Sequence, residues 1–209
     1  MVSMTTHEVA LPDLTGFELV DAKQMVRSTL REQRSKLTSK ELARYSTAFA
    51  STIAEFVADA KTVAMYVSVH NEPDTRSAIT TLRERGTRVL LPKLGPGLAR
   101  MWAEYEDDDL VVDAPGRPPA PRGEALPSEA VEEADVIVVP ALAVDHAGFR
   151  LGQGGGWYDR ILKLNVTDRV GAVIYPWEYL DTSLPHDEQD VQVSWVMQPD
   201  SIIKIDRSI

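Results

Sequence analysis

Short β-branched runs that alternate with helical periodicity constrain this chain more than any other feature. Residues 62–69 (TVAMYVSV) form one such run. His70-Asn71-Glu72-Pro73 then reads as a turn, residues 74–85 as a helix, and Gly86 as its C-cap. Residues 88–92 (RVLLP) are the next strand. Strand, helix, strand in that order is a βαβ unit, in which the helix carries the chain back so that the two strands lie parallel. Residues 135–141 (DVIVVPA) and 170–175 (VGAVIY) supply two further strands, with residues 157–164 as a helix between them. The expected class is α/β.

Two helices precede the first strand. Ala22, Met25, Val26, Leu30 and Leu37 recur near a 3.6 period with Lys23, Arg27, Arg31 and Arg34 between them, which is a basic amphipathic helix. Thr38-Ser39-Lys40-Glu41 has capping-box spacing, and Leu42, Tyr45, Phe49, Ile53 and Phe56 follow on one face, so a second helix starts at Thr38. Residues 106–123 combine the acidic run Glu106-Asp107-Asp108-Asp109 with Pro115, Pro118, Pro119 and Pro121, and read as an exposed loop.

With 209 residues and 44% hydrophobic content the chain can bury one sizeable core. Its net charge of −10 repels the phosphate backbone of nucleic acid, so no nucleic-acid partner is expected. The absence of cysteine excludes disulfides, thiolate metal sites and cysteine nucleophiles. Nowhere does an apolar run reach the roughly 18 residues that a membrane-crossing helix needs. Residues 1–20 lack a basic segment followed by an apolar core, and do not read as a signal peptide. The expectation is a cytoplasmic monomer with a flexible arm over residues 1–20 and a single domain over 21–209. His7, His70, His146 and His186 have no metal-ligand spacing.

The segment Arg150-Leu151-Gly152-Gln153-Gly154-Gly155-Gly156-Trp157-Tyr158-Asp159-Arg160 places four of the twelve glycines in five positions directly before a helix. Glycine lets successive N–H groups turn toward one point, which makes an anion cradle; a flexible surface loop is the alternative. The order is not G-x-G-x-x-G and no G-K-[ST] occurs, so neither a dinucleotide dehydrogenase nor a P-loop enzyme is favoured.

This segment resembles the signature of the 5-formyltetrahydrofolate cyclo-ligases, R-L-G-x-G-[KG]-G-[FYW]-Y-D-R, preceded by a strand ending in Pro140 and a turn containing Asp145. Lys23-Gln24-Met25-Val26-Arg27 resembles the family's K-x-x-[LV]-R, with Arg34 and Leu37 at the following spacing. Residues 66–75 are similar to its strand and Glu-x-x-Thr turn, Val89-Leu90-Leu91-Pro92-Lys93 to its V-x-L-P-[RK], and Leu184-Pro185 with Asp190 to its L-P followed by Asp. The chain departs from the family pattern at Ala120-Pro121, near Tyr179 and near Gln198.

The resemblance implies a three-layer sandwich around a mostly parallel sheet with Rossmann-like topology. It also implies an ATP- and Mg²⁺-dependent cyclisation of 5-formyltetrahydrofolate, polyglutamylated or not, to 5,10-methenyltetrahydrofolate with release of ADP and phosphate. Lys23, Gln24, Met25, Val26 and Arg27 would bind ATP together with Arg150, Leu151, Gly152, Gln153, Gly154, Gly155, Gly156, Trp157 and Tyr158, with Lys23 and Arg150 acting on the transferred phosphate. Val67, Glu72 and the stretch from Gln153 to Trp157 would hold the folate, and Asp159 and Asp190 would hold Mg²⁺. Read without the family, Lys23 and Arg27 are first a solvated basic face and Asp190 first a loop acid, whereas Trp157 is equally a core residue and Asp159 equally a helix N-terminal acid. A non-catalytic folate- or nucleotide-binding protein on the same fold is the alternative, and an ATP-independent sugar-phosphate enzyme a further one.

Overall fold

The computed structural model describes residues 9–106, 110–112, 115, 117–164 and 166–206. Residues 1–8 with His7, the acidic residues 107–109, and positions 113, 114 and 116 of the proline-rich stretch lie outside the described residues. In chain order the elements are α1 (Leu19–Ser35), α2 (Ser39–Val57), β1 (Thr62–Met65), α3 (Arg76–Glu84), β2 (Arg88–Leu94), β3 (Arg100–Glu104), β4 (Leu110–Val111), β5 (Ala120–Pro121), β6 (Val136–Pro140), β7 (Ala143–Asp145), β8 (Arg150–Leu151), α4 (Trp157–Ile161), β9 (Val170–Val173), β10 (Tyr179–Leu180), β11 (Trp195–Gln198) and β12 (Ser201–Lys204).

Seven strands form the main sheet in the order β12-β11-β9-β6-β1-β2-β3. The strands from β11 to β2 pair in parallel, and only the edges, β12 on β11 and β3 on β2, are antiparallel. Because side chains alternate across a strand, the apolar runs feed two cores. Val63, Met65, Val89, Leu91, Val136 and Val138 point to one face, where they meet Phe49, Ile53 and Phe56 of α2 and Ile79 and Leu82 of α3. Ala64, Leu90, Ile137, Val139 and Ala172 point to the other, where Val131, Trp102 and Ile161 cover them. This is the expected α/β sandwich with a mostly parallel sheet.

Local chemistry explains the helix ends. Thr38 accepts a hydrogen bond from the Glu41 amide while the Glu41 side chain accepts from the Thr38 amide, the capping box that the spacing predicts. Gly86, at φ 84, follows the α3 C-cap in the left-handed region that glycine tolerates. At Gly171 the requirement is space: a Cβ there would lie 2.8 Å from the Phe56 ring, so the missing side chain is what lets α2 sit down on β9.

Some boundaries differ from expectation. The run over 62–69 leaves the sheet after Met65, because Thr75 takes the place of a strand partner: its hydroxyl accepts from the Ser68 amide at 3.1 Å and donates to the Tyr66 carbonyl at 2.8 Å. The strand over 170–175 ends at Val173, and the helix over 157–164 is one short turn ending at Ile161. Part of the stretch over 106–123 is not exposed loop: β4 pairs with β5, Ala120 and Pro121 are buried, and Lys93 Nζ donates to the Pro121 and Gly123 carbonyls at 2.7 and 2.8 Å.

A second, three-stranded sheet, β10-β7-β8, carries α1. Val26 and Leu30 of α1 bury against Leu142, Ala143, Leu151, Leu180 and Leu184, and Val9, Leu11 and Leu14 pack on the same cluster. Residues 9–14 thus belong to the packed body, although the sequence places them in an arm. Among the described residues, no helix is long and apolar enough to cross a membrane.

Candidate functional site

β1 lies between β2 and β6, so the chain runs outward from it in both directions and leaves a crevice beyond the strand ends. A cleft of ≈ 890 Å³ opens there, walled by Tyr66, Val67, Ser68, Glu72, Tyr175 and Trp157 among others. Residues 66–75 form its rim as a closed turn, in which the Tyr66 hydroxyl donates to the Pro73 carbonyl at 2.6 Å. Glu72 is held by the Val69 amide, which donates to its Oε2 at 3.1 Å. Burial pushes the Glu72 carboxyl above its ordinary pKa, against the opposing pull of that amide and of Arg34.

A second cleft, ≈ 450 Å³, is lined by Lys23, Arg27, Arg150 and the glycine segment, with Asp159, Asp187 and Asp190 on its wall. Gly154 at φ 103 and Gly156 at φ 59 require glycine, and Gly156 is the N-cap of α4. Arg27 Nε donates to the Gly152 carbonyl at 2.9 Å, and Arg31 grips Gln153 by its side-chain oxygen and its carbonyl. The glycine segment is therefore fastened to α1 rather than loose. Burial lowers the pKa of both Arg27 and Arg150, and as guanidiniums both keep their charge.

Two of the expected cations, Lys23 and Arg150, meet expected acids. Lys23 Nζ lies 2.5 Å from Asp190 Oδ2, and Arg150 Nη2 lies 2.8 Å from Asp159 Oδ1. Arg150 also donates to the Val191 carbonyl, while the Val191 amide donates back to Asp159 at 3.3 Å, tying the segment after β8 to the loop of Asp190. That loop is anchored by Asp145, 2% exposed, whose Oδ1 takes the Ala147 and Phe149 amides and whose Oδ2 takes the Leu184 amide. The described residues contain no group of three or more His, Cys, Asp or Glu arranged to hold a metal. Asp159 and Asp190 still fit a magnesium ion that keeps most of its shell as water and phosphate: their hydrogen bonds use Oδ1 of one and Oδ2 of the other, leaving one oxygen on each.

Pro140, Trp157 and Tyr158 belong to both clefts and form the wall between them. Trp157 packs on Trp102 with ring centroids 5.1 Å apart, so it serves the core and the clefts at once. Its Nε1 and the Tyr158 hydroxyl are buried with no hydrogen-bond partner among the described residues, an arrangement that a polar ligand would relieve. Burial raises the Tyr158 phenol well above its usual pKa, so it stays a donor.

Of the expected residues, Lys23, Arg27, Arg150 and Leu151 through Asp159 meet in the smaller cleft with Asp190, and Val67 and Glu72 line the larger. Gln24, Met25 and Val26 line neither. Val26 is fully buried in the α1 cluster, since it lines up with Ala22 and Leu30, four positions before and after it, on the apolar stripe that lies one position round the helix from Lys23 and Arg27. The sequence reading gave no role to Tyr66, Tyr175 or the pair Arg34–Glu178 beneath the site, although Tyr66 and Arg34 stood within the family's spacing. Arg34, 3% exposed, donates to Glu178 at 2.7 and 2.8 Å and to the Ala141 carbonyl at 2.6 Å, and stacks over Tyr175. Burial is the largest influence and works against its charge, but the Glu178 carboxylate together with the Tyr175 and Tyr66 phenols more than offsets it and raises its pKa. Besides that spacing, an arginine on an otherwise apolar helical stripe, in line with Val26 and Leu30, is the signal that pointed to a buried role.

The family model described as the 5-formyltetrahydrofolate cyclo-ligase family matches residues 20–199. A 5-formyltetrahydrofolate cyclo-ligase of Mycolicibacterium smegmatis is 37% identical over 186 residues, covering 85% of this chain and 94% of the relative. The Escherichia coli K12 protein of the same name is 29% identical over 178 residues, covering 83% and 98%. Among solved structures, the 5,10-methenyltetrahydrofolate synthetase of Aquifex aeolicus superposes with a TM-score of 0.74 at 27% identity, over 88% of this chain and 92% of that one. The chain, with its signature segment folded against α1 at the mouth of the sheet, belongs to the 5-formyltetrahydrofolate cyclo-ligase family, a family of folate-metabolising ligases.

Proposed function

We propose that this enzyme uses ATP and Mg²⁺ to cyclise 5-formyltetrahydrofolate to 5,10-methenyltetrahydrofolate, with the folate in the larger cleft and the nucleotide phosphates in the smaller. The shared wall of Pro140, Trp157 and Tyr158 carries the reading, because a phosphoryl group can pass between two ligands only if their reacting ends meet.

In the first step the formyl oxygen attacks the γ-phosphorus, an O–P bond forms, and the bond to ADP breaks. In the second, a neighbouring folate nitrogen attacks the activated formyl carbon, the C–O bond breaks, phosphate leaves, and the nitrogen gives up its proton. Neither step needs a protein nucleophile, so the chain's task is placement and charge neutralisation. Lys23, Arg27 and Arg150 are the cations for the phosphates, and the backbone around Gly154 to Gly156 supplies donors. Glu72 and Val67 hold the folate, with the Trp157 ring as an aromatic face. Asp159 and Asp190 would hold Mg²⁺, which neutralises charge on the transferred phosphate when bound.

The test follows the absorbance of the methenyl product with 5-formyltetrahydrofolate alone, with ATP, and with ATP and a divalent cation. Product is expected only in the last, with one ADP per turnover. Equal turnover without ATP would overturn the reading.

A further inference from the structure

Gln153 belongs to the phosphate-side glycine segment and lines that cleft, yet its side chain bonds to Arg31 and Glu72, neither of which does. Arg31, one helical turn beyond Arg27 on α1, donates from Nε and Nη2 to Gln153 Oε1 at 3.0 and 2.8 Å and from Nη2 to the Gln153 carbonyl at 3.0 Å. A guanidinium has donors only, so these bonds settle which end of the amide faces it. The NH₂ end is left for the other neighbour, and it donates to Glu72 Oε1 at 3.4 Å. Glu72 in turn walls the folate-side cleft. Arg31, Gln153 and Glu72 also line a third cleft of ≈ 400 Å³ that lies against both others, so the chain of contacts follows a continuous surface.

We propose that Arg31 is a positioning residue that couples the two ligands: by fixing the Gln153 amide it lets order in the glycine segment reach Glu72, so that each ligand raises the other's affinity. The inference rests on the reading of the two clefts above. Its physical source is shared ordering. Arg27 and Arg31 fasten the segment at Gly152 and Gln153, whereas the three glycines beyond them, Gly154 to Gly156, keep backbone freedom; whichever ligand arrives first removes part of it, leaving less for the second to remove. The bond to Glu72 is long at 3.4 Å, which leaves room for it to shorten when the segment is filled. Arg31 is exposed and pairs only with Gln153 among the hydrogen bonds between described residues, so its role is separable from folding.

Calorimetry on the full chain tests this. The dissociation constant of 5-formyltetrahydrofolate is measured alone and with a saturating non-hydrolysable ATP analogue plus Mg²⁺, in the parent, Arg31→Ala, Arg31→Lys and Gln153→Ala. The analogue should tighten folate binding about fivefold or more in the parent, the range of ordinary site-to-site coupling, with the same factor for the reverse order of addition. In Arg31→Ala and Gln153→Ala the factor should fall toward one while Arg31→Ala keeps the parent's thermal midpoint, and Arg31→Lys should restore part of it. A parent factor of one, or an Arg31→Ala factor equal to the parent's, overturns the coupling. A parent that binds folate but no nucleotide at all overturns the ATP reading itself, and the two failures are thereby distinguishable.

Discussion

Replacing Arg34 by Met should destabilise the protein far more than any surface charge substitution, and the structure says how much. Glu178 is 0% exposed and receives two bonds from Arg34, at 2.7 and 2.8 Å. Once Arg34 is gone, the carboxylate keeps the Tyr175 amide at 2.9 Å as its hydrogen-bond donor, and the Ala141 carbonyl loses its own partner at 2.6 Å. Breaking a buried pair from one side costs about 3–5 kcal/mol, because the abandoned charge stays out of water. For a chain of this size that lowers the thermal midpoint by roughly 6–20 °C. Burial already pushes Glu178 upward while Arg34 pulls it down, so in Arg34→Met its folded-state pKa must rise further. The folded state then binds the proton more tightly than the unfolded state does. The deficit relative to the parent should be full above that raised pKa and shrink as pH falls through it, which urea titrations run from alkaline pH down to the ordinary carboxylate range can follow. The double variant Arg34→Met/Glu178→Leu should recover much of the loss. A single-variant cost under about 1 kcal/mol, or a deficit independent of pH, would refute the buried-pair argument.

Gly171→Ala should destabilise by about 1–3 kcal/mol in urea unfolding, since its Cβ would sit 2.8 Å from the Phe56 ring and 2.7 Å from the Met197 methyl. Arg150→Ala should weaken ATP binding about tenfold or more by calorimetry, the equivalent of losing a charge-assisted contact of roughly 1.5–3 kcal/mol; unchanged affinity would remove Arg150 from the phosphate site. Asp190→Asn should keep the fold, because an amide oxygen can still accept from Lys23 and the Asp187 amide, yet need more Mg²⁺ for half-maximal rate. Gln153→Ala removes a donor to ionised Glu72, so carboxyl NMR titration should find the Glu72 pKa, already raised by burial, higher still. Ionising Glu72 then opposes folding more strongly, and the variant should lose more stability than the parent as pH rises through that window.

The parallel sheet was legible in the sequence because strand and helix periodicities are local: the runs around Val63, Leu90, Ile137 and Ala172 announce β1, β2, β6 and β9 whatever they pack against. The same holds for the Thr38 capping box and for the glycine segment, whose positive-φ positions Gly154 and Gly156 are a demand of the backbone alone. Short elements were not legible. β7, β8 and β10 are two or three residues long, too few for a period to show, and exist because α1 needs an apolar surface under Val26 and Leu30. The site divides in the same way. Its residue types could be read from the motifs, but Lys23 against Asp190, 167 positions away, and Arg34 against Glu178, 144 away, depend on where the chain returns after crossing the sheet. Helical geometry then decides that Lys23 and Arg27 reach the cleft while Val26, between them, enters the core. Tertiary packing alone sets the wall of Pro140, Trp157 and Tyr158, since it requires the end of β6 and the start of α4 to arrive at one place.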